Sequence, residues 1–404
     1  MPREDLPLLP AGFAFGASTA SYQIEGAVDE DGRGTSVWDT FCAEPGRIVD
    51  GSSGAVACDH YHRYGEDVAL MKGLGLDGYR FSIAWPRIQP DGTGRVNAAG
   101  LAFYDRLVDA LLEAGVTPMA TLFHWDLPQP LEDAGGWLSR DTADRFAELA
   151  TVVGLKLGDR VAHWIPVNEP NCVTMLGYAT GVHAPGRNLM FDGLPAAHHL
   201  LLGHGRAAAA LRAVGATSVG TANNHTPVWP ATDSVEDRQA ADLYDVLWNR
   251  LFADPVLLGR YPEGFAELMP GPVEDDLAVI HAPLDFYGVN YYNPSRVAGP
   301  ETDLQSEGLD IEGLPFTTVP VEGYPRTAFG WPVVPDGLRE VLVGLRDDYG
   351  SSLPPVYVTE SGCAYHDKPG PDGAVHDPER IEYLDGHLRA IGRAIDAGVD
   401  VRGY

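Results

Sequence analysis

Two glutamates stand within two residues of the ends of apolar, strand-like segments. Glu169 follows the run 163–167, and Glu360 follows the run 356–359. Hydrolysis of a glycosidic bond requires two carboxyl groups in one pocket, because one protonates the leaving oxygen and the other attacks the anomeric carbon or activates water. A single glutamate at such a position is more often a surface cap or a salt-bridge partner. Two of them among aromatic and amide side chains favour the catalytic interpretation.

Further polar and aromatic residues follow other strand-like runs and could line the same pocket. Their hydroxyl, amide and imidazole groups can exchange hydrogen bonds with sugar hydroxyls, and tryptophan faces can pack against the C–H face of a pyranose. Each tryptophan taken alone is more often a core residue than a sugar-binding one. The candidates are Gln23, His124, Trp125, Asn168, Asn290, Tyr292 and Trp331.

One cation lies inside an apolar run, at Arg80. Burying a guanidinium without an anion is costly, so a carboxylate nucleophile nearby would satisfy it and be kept ionised by it. His60 and His62 stand two residues apart with no third ligand in view. They are interpreted as structural histidines, and no metal site is predicted.

A repeated pattern positions these residues: an amphipathic helix, a glycine, then a short β-rich run. Helices are predicted over 68–74, 101–114, 207–214 and 381–395, each followed by such a glycine. Strands are predicted over 13–18, 79–83, 116–123, 163–167, 219–222, 284–289, 356–359 and 399–402. The strands are mostly apolar without strict alternation, as expected where both faces are covered.

Alternating strands and helices imply a parallel sheet with right-handed crossovers. An open doubly wound sheet is disfavoured because no GxGxxG motif follows the first strand and at least seven units occur. The sequence therefore predicts an α/β fold, a (β/α)8 TIM barrel, with 1–404 as one domain. The Gly-, Pro- and acid-rich segment 297–327 is predicted to be a long loop.

Composition excludes several classes of function. The net charge of −29 argues against nucleic-acid binding, which depends on cations, and would disfavour polyanionic substrates. Four widely spaced cysteines indicate neither a zinc site nor a disulfide framework. The run 1–7 lacks the basic and apolar stretches of a signal peptide, and no run is long and apolar enough to span a membrane. A cytoplasmic protein is predicted.

Seven segments, in order along nearly the whole chain, resemble the hallmarks of glycoside hydrolase family 1. Together they are highly specific, although any one of them could arise by chance. They are GASTASYQIEG (16–26), YRFSIAW (79–85), LFHWDLP (122–128), NEP (168–170), GVHAPG (181–186), GVNYY (288–292) and YVTESG (357–362).

The resemblance implies a role for each candidate. Glu169 matches the acid/base of the family and Glu360 its nucleophile, which implies carboxyl groups about 5 Å apart, the retaining spacing. Tyr292 matches the tyrosine that hydrogen-bonds the nucleophile, and Trp331 the aromatic floor of the aglycone site. The set matching the glycone-binding residues is Gln23, His124, Trp125 and Asn168, with Asn290 and Arg80 beside the site.

The chain departs from the family pattern at three places. Ser361 replaces the usual asparagine after the nucleophile, and Asn171 stands where many members carry an aromatic residue. The sequence ends at Tyr404, where members continue through the eighth strand into a segment that grips the sugar. The barrel is therefore expected to lack most of its eighth strand and its final helix, leaving the strands at 356–359 and 13–18 as unpaired edges.

The leading hypothesis is a retaining exo-β-glycosidase without a cofactor that acts on terminal β-D-glucosyl, or also β-galactosyl, residues of small glycosides or oligosaccharides. One alternative is a catalytically weak or silent member that binds sugar or assembles with partner chains, including copies of itself at the open edge. Another is a 6-phospho-β-glycosidase. Turnover of p-nitrophenyl β-glucoside, compared with that of its 6-phosphate, separates the three.

Overall fold

The structure is a computed structural model, and it describes residues 9–308 and 313–404. The run 1–7, which carries the leader interpretation, lies outside the described residues, as does part of the predicted loop at 309–312. Among the described residues, no helix is both long enough and apolar enough to cross a membrane.

The described residues contain short strands, of which β1 to β5, β7, β10 and β11 overlap the predicted positions and β6, β8 and β9 were not predicted. The strands are β1 (Gly16–Ser18), β2 (Gly78–Ser82), β3 (Thr117–Phe123), β4 (His163–Val167), β5 (Gly220–Asn224), β6 (Val228–Pro230), β7 (Phe286–Asn290), β8 (Ser295–Ala298), β9 (Thr317–Val319), β10 (Val356–Glu360) and β11 (Val401–Gly403).

Helices follow most of the strands, and the predicted ones are longer than the periodicity indicated. The α-helices are α1 (Ser21–Ile24), α2 (Val37–Ala43), α3 (His60–Leu74), α4 (Trp85–Ile88), α5 (Ala98–Ala114), α6 (Gln129–Asp133), α7 (Asp141–Leu157), α8 (Pro170–Cys172), α9 (Pro195–Ala213), α10 (Val235–Asp245), α11 (Leu251–Leu258), α12 (Val273–Ile280), α13 (Pro335–Tyr349) and α14 (Pro378–Asp396).

Local chemistry sets several helix ends. The Asn97 side chain accepts from the Ala99 N–H at the start of α5, and Ser36 and Asp39 form a capping box on α2. Gly75 and Gly115 end α3 and α5 with φ of 72° and 79°, a left-handed conformation that costs glycine little.

Two sheets contain the strands that carry the candidate residues. One has the order β1-β2-β3-β4 with parallel pairing throughout, and the other has the order β11-β10-β7-β5. Parallel bridges from Trp164 to Val219 and from Asn168 to Ala222 join β4 to the neighbourhood of β5. Candidate residues follow the carboxyl ends of these strands.

The chain divides into two compact units. The larger unit comprises Ala14–Asn223 and Leu251–Gly288, and the smaller unit comprises the described parts of Met1–Phe13, Asn224–Arg250 and Val289–Tyr404. The larger unit has a core rich in aromatic residues, which includes the fully buried Trp85 and Trp164. The predicted organisation as a single domain stays a prediction.

Three structural expectations are corrected. The segment 297–327 is not only a loop, because β9 pairs antiparallel with β8, and β8 pairs with β6 in a small three-stranded sheet. β10 is not an unpaired edge, because β11 pairs with it and the Val356 N–H donates to the Asp400 carbonyl. β1 is exposed along its length rather than covered on both faces.

Candidate active site

Asn168 and Glu169 follow β4 in the larger unit, and both side chains are buried. The Asn168 N–H donates to the Phe123 carbonyl, and the Glu169 N–H donates to the Ala222 carbonyl at 2.8 Å. These backbone bonds tie the residues to the neighbouring strands on both sides of β4. The carboxyl group of Glu169 is therefore held at the carboxyl end of the sheet, where a parallel α/β fold places its chemistry.

Two residues in this region have left-handed backbones. Glu169 has φ 46° and ψ 63°, and Trp125 has φ 78°. Such conformations are unfavourable for side chains of this size and persist only where the surroundings impose them. The backbone strain coincides with two of the residues singled out from the sequence.

Asn168 connects three of the candidate residues. Its Oδ1 accepts from Nη2 of Arg80 at 2.5 Å, and its Nδ2 lies 3.1 Å from Nε2 of His124. Because an amide nitrogen only donates, Nε2 of His124 is the acceptor in that bond. The carbonyl of Asn168 accepts from the indole N–H of Trp125 at 3.0 Å. Three of the residues predicted to bind the glycone, His124, Trp125 and Asn168, are therefore linked by hydrogen bonds.

Arg80 is only 4% exposed in β2. Besides Asn168, its guanidinium donates to the hydroxyls of Thr121 at 3.0 Å and Ser18 at 3.4 Å. These bonds orient the guanidinium across the ends of three neighbouring strands. The predicted approach of Arg80 to Glu360 stays a prediction.

Trp125 packs within a group of rings that the sequence did not identify. Its ring centroid lies 6.5 Å from that of Trp38, with an interplanar angle of 25°, and 5.6 Å from that of His183. Trp38 lies on α2, away from any strand end, so strand-end reasoning could not find it. His183 lies in a segment that carried the family resemblance but to which no role was given. Gln23 is exposed on the short helix α1.

Glu360 ends β10 in the smaller unit. Its Oε2 accepts from the hydroxyl of Tyr292 at 2.7 Å, and its carbonyl accepts from the Tyr291 N–H at 2.9 Å. A hydrogen bond to a carboxylate favours its ionised form, the form in which it acts as a nucleophile. The hydrogen bond implied by the resemblance is present.

Asn290 and Trp331 belong to the same unit. The fully buried Asn290 accepts from the Thr359 hydroxyl at 2.6 Å, so the residue before Glu360 orients this amide. The Trp331 ring centroid lies 5.4 Å from that of Tyr292, in an edge-on arrangement, and the residue is 39% exposed. It therefore offers an accessible aromatic surface next to the tyrosine that contacts Glu360.

The two histidines interpreted as structural bond to carboxylates. His60 contacts Asp67 at 2.6 Å, and His62 contacts Asp59 and Glu30. Over residues 9–308 and 313–404, no group of three or more His, Cys, Asp or Glu side chains is arranged to hold a metal ion.

Comparison with known proteins identifies the family. Residues 7–404 match the family described as Glycosyl hydrolase family 1. The chain belongs to glycosyl hydrolase family 1. It is therefore a glycoside hydrolase.

Relatives of this family 1 chain extend across almost its whole length. It is 50% identical over 402 residues to Thermostable beta-glucosidase B of Thermobispora bispora, covering 98% of this chain and 81% of the relative. It is 44% identical over 402 residues to Beta-glucosidase A of Acetivibrio thermocellus, covering 98% and 88%.

Solved structures show the same fold. The family 1 β-glucosidase from Thermotoga maritima superposes with a TM-score of 0.92 at 41% identity, covering 99% of this chain and 88% of that one. The Thermotoga maritima enzyme is also known in complex with isofagomine lactam. The family 1 chain accordingly has the α/β TIM-barrel fold.

Proposed function

We propose that this family 1 chain is a retaining β-glucosidase that removes terminal β-D-glucosyl residues from small glycosides. The observation that carries the proposal is the hydrogen bond from Tyr292 to the Glu360 carboxylate. This bond orients the carboxylate that must attack the sugar and favours its ionised form. The relatives named beta-glucosidase, and the complex of the Thermotoga maritima β-glucosidase with isofagomine lactam, support a glucoside substrate.

In the proposed mechanism, Glu360 is the nucleophile and Glu169 the acid/base. The Glu360 carboxylate attacks the anomeric carbon while Glu169 protonates the departing oxygen, which gives a covalent glycosyl-enzyme and frees the aglycone. Glu169 then takes a proton from water as the water attacks the same carbon and releases Glu360. Two inversions leave the β configuration unchanged. The predicted carboxyl separation stays a prediction.

The surrounding residues are proposed to bind the substrate. The hydrogen-bonded group around Asn168 is proposed to hold the glycone, and Trp331 to support the aglycone through its exposed ring. Arg80 is proposed to assist through the orientation of Asn168. Binding energy from these contacts is used to stabilise the transition state. The residues proposed for glycone contact are Gln23, His124, Trp125, Asn168 and Asn290.

The test compares two glutamate variants on substrates with different leaving groups. Glu360→Gln should abolish turnover of both a dinitrophenyl β-glucoside and cellobiose, since no covalent intermediate can form. Glu169→Gln should slow cellobiose by a factor of about 100 or more and slow formation of the glycosyl-enzyme from the dinitrophenyl glucoside much less, because only the poor leaving group needs the proton. The measurements are steady-state rates and the pre-steady-state burst of dinitrophenolate.

Glu66→Gln, on the exposed face of α3, is the matched control and should leave both rates unchanged. If Glu169→Gln slowed the burst with the dinitrophenyl glucoside as much as it slows turnover of cellobiose, Glu169 would not be the acid/base. Preferential turnover of the 6-phosphorylated glucoside would replace the proposed substrate class.

A further inference from the structure

Three buried polar side chains lie at, or just after, the carboxyl ends of the first three strands of the β1-β2-β3-β4 sheet. Ser82 is the last residue of β2, Ser21 lies three positions after β1, and Asp126 lies three positions after β3. Their exposures are 2%, 3% and 0%, and all belong to the larger unit.

Two hydrogen bonds join these residues, one from the Ser21 backbone and one from its side chain. The Ser21 N–H donates to the Ser82 hydroxyl at 2.7 Å, and the Ser21 hydroxyl donates to Oδ2 of Asp126 at 2.7 Å. Here Ser21, Ser82 and Asp126 are called the strand-end bridge. Ser21 bonds to both of the other residues, and Asp126 lies 105 positions after it in the sequence. The geometry of the bridge therefore depends on the ends of all three strands.

The strand-end bridge lies next to proposed sugar-binding residues on both sides. Gln23 is two positions after Ser21 on α1, and Trp125 directly precedes Asp126. The left-handed backbone of Trp125 persists only where its surroundings restrain it. Its indole N–H is tied to the Asn168 carbonyl, and the bond to Asp126 restrains the chain immediately after it.

Asp126 is an unfavourable residue to bury for stability alone. It is fully buried, and burial raises the pKa of its carboxyl to about 7. Its Oδ1 has no hydrogen-bond partner among the residues that the structure describes, and it lines a small cavity together with Arg87 and Arg33. Buried carboxyl groups of this kind cost stability, so a contribution to geometry accounts for this one better than a contribution to folding energy.

We propose that Asp126 is a positioning residue that, through Ser21, holds Gln23 and Trp125 in one arrangement for the sugar. The proposal rests on the proposed function, because it takes these two residues as sugar contacts. The bridge acts on the backbone of α1 and of the segment after β3, and it touches no substrate itself. Its loss should therefore lower glycone affinity and kcat/KM together.

The kinetic test uses Asp126→Ala, Ser21→Ala and Asp126→Asn. The first two remove the bond between Asp126 and Ser21 and should lower kcat/KM for p-nitrophenyl β-glucoside about tenfold, with weaker glucose binding by calorimetry. Asp126→Asn keeps an oxygen acceptor for Ser21 and should stay within about threefold of the wild type. The control Ser218→Ala removes the hydroxyl that contacts His163 at the opposite end of β4, and it should change neither value.

A double-mutant cycle with Gln23→Ala separates positioning from general destabilisation. If the bridge acts through Gln23, Asp126→Ala should cost less kcat/KM in the Gln23→Ala background than in the wild type. Fully additive losses together with a lower melting temperature would show a purely structural role and would overturn the proposal.

Amide hydrogen exchange gives a readout that does not require turnover. Asp126→Ala should speed exchange over residues 19–26 and 123–127, and Ser218→Ala should not. If the wild type hydrolyses no β-glucoside but this exchange pattern appears, the proposed substrate is wrong and the bridge still stands. If Asp126→Ala and Ser21→Ala exchanged at the wild-type rate over these residues, the bridge would not restrain them and the proposal would be wrong.

Discussion

At the residue scale, the contact that bears most directly on the proposed nucleophile is the hydroxyl of Tyr292. It lies 2.7 Å from Oε2 of Glu360, in a half-buried position beside the Trp331 ring. The neighbouring Tyr291 is fully buried and donates instead to the Val334 carbonyl at 2.6 Å. Two adjacent tyrosines thus differ in one respect that matters for chemistry, namely the acceptor of the hydroxyl.

Tyr292→Phe should lower kcat/KM about 10- to 100-fold, because a hydrogen bond to a charged group contributes about 1.5–3 kcal/mol. The acid limb of the pH profile should also move to higher pH, since the lost bond favours the ionised carboxylate. Steady-state rates from pH 4 to 8 provide the measurement.

Tyr291→Phe is the control for this change. It should lower the free energy of unfolding, because the Val334 carbonyl loses its donor, and leave the acid limb in place. An unchanged acid limb in Tyr292→Phe would show that this hydroxyl does not set the ionisation of the nucleophile.

At the scale of elements, α9 packs closely because it carries glycines where neighbouring elements approach. A Cβ on Gly205 would lie 2.2 Å from the Val279 carbonyl of α12, and one on Gly203 would lie 3.1 Å from the Trp137 ring. By contrast, a Cβ on Gly65 of α3 would have no described group within 4 Å other than the nearby backbone of its own helix. Glycines within helices therefore have different roles in this chain.

Gly205→Ala should destabilise the protein by about 1–3 kcal/mol, because the Val279 backbone must move to make room. Gly65→Ala should stabilise it by about 0.5–1 kcal/mol, since alanine loses less conformational entropy in a helix. Chemical denaturation of the two variants and the wild type measures both effects. If both variants were stabilised, the close approach of α9 and α12 would be in error.

At the scale of the whole molecule, charge and buried imidazoles together shape the response to pH. The net charge of −29 favours expansion of the chain through self-repulsion. Burial lowers the pKa of His204, His225 and His387 to about 4. These pKa values in the folded protein lie below the value near 6.5 in the unfolded chain, so folding favours the neutral histidines. The stability that depends on the neutral form is fully present above pH 6.5 and is lost as the pH falls toward 4.

His204→Leu should reduce the loss of stability on acidification. His204 is fully buried, and neither ring nitrogen has a hydrogen-bond partner among the described residues. Protonation of His204 on unfolding lowers the free energy of unfolding by about 2 kcal/mol between pH 8 and pH 4.5. The free energy of unfolding of the variant should therefore fall by about 2 kcal/mol less than that of the wild type over this range. Urea unfolding at both pH values is the measurement, and an equal loss in both proteins would contradict a buried neutral His204.

The sequence by itself determined most of the strand ends, the position of Glu169 and Glu360 at two of them, and the family, because each depends on a short contiguous segment of sequence. An apolar run followed by a polar residue predicts a strand and its carboxyl end, as in β4 with Glu169 and β10 with Glu360. The first half of α9 was missed, because its glycines and histidines interrupt the periodicity that marks a helix.

Only the tertiary structure decided which residues support these candidates. Arg80 is oriented by Thr121 and Asn168, which lie 41 and 88 positions away in the sequence, and Ser21 of the strand-end bridge bonds to a residue 105 positions away. Trp38, which packs on Trp125, lies away from any strand end. The pairing of β9 with β8 likewise formed within a segment that reads locally as a loop. Such contacts depend on the register of strands and the approach of helices. Those are set by packing over the whole core, and no local pattern encodes them.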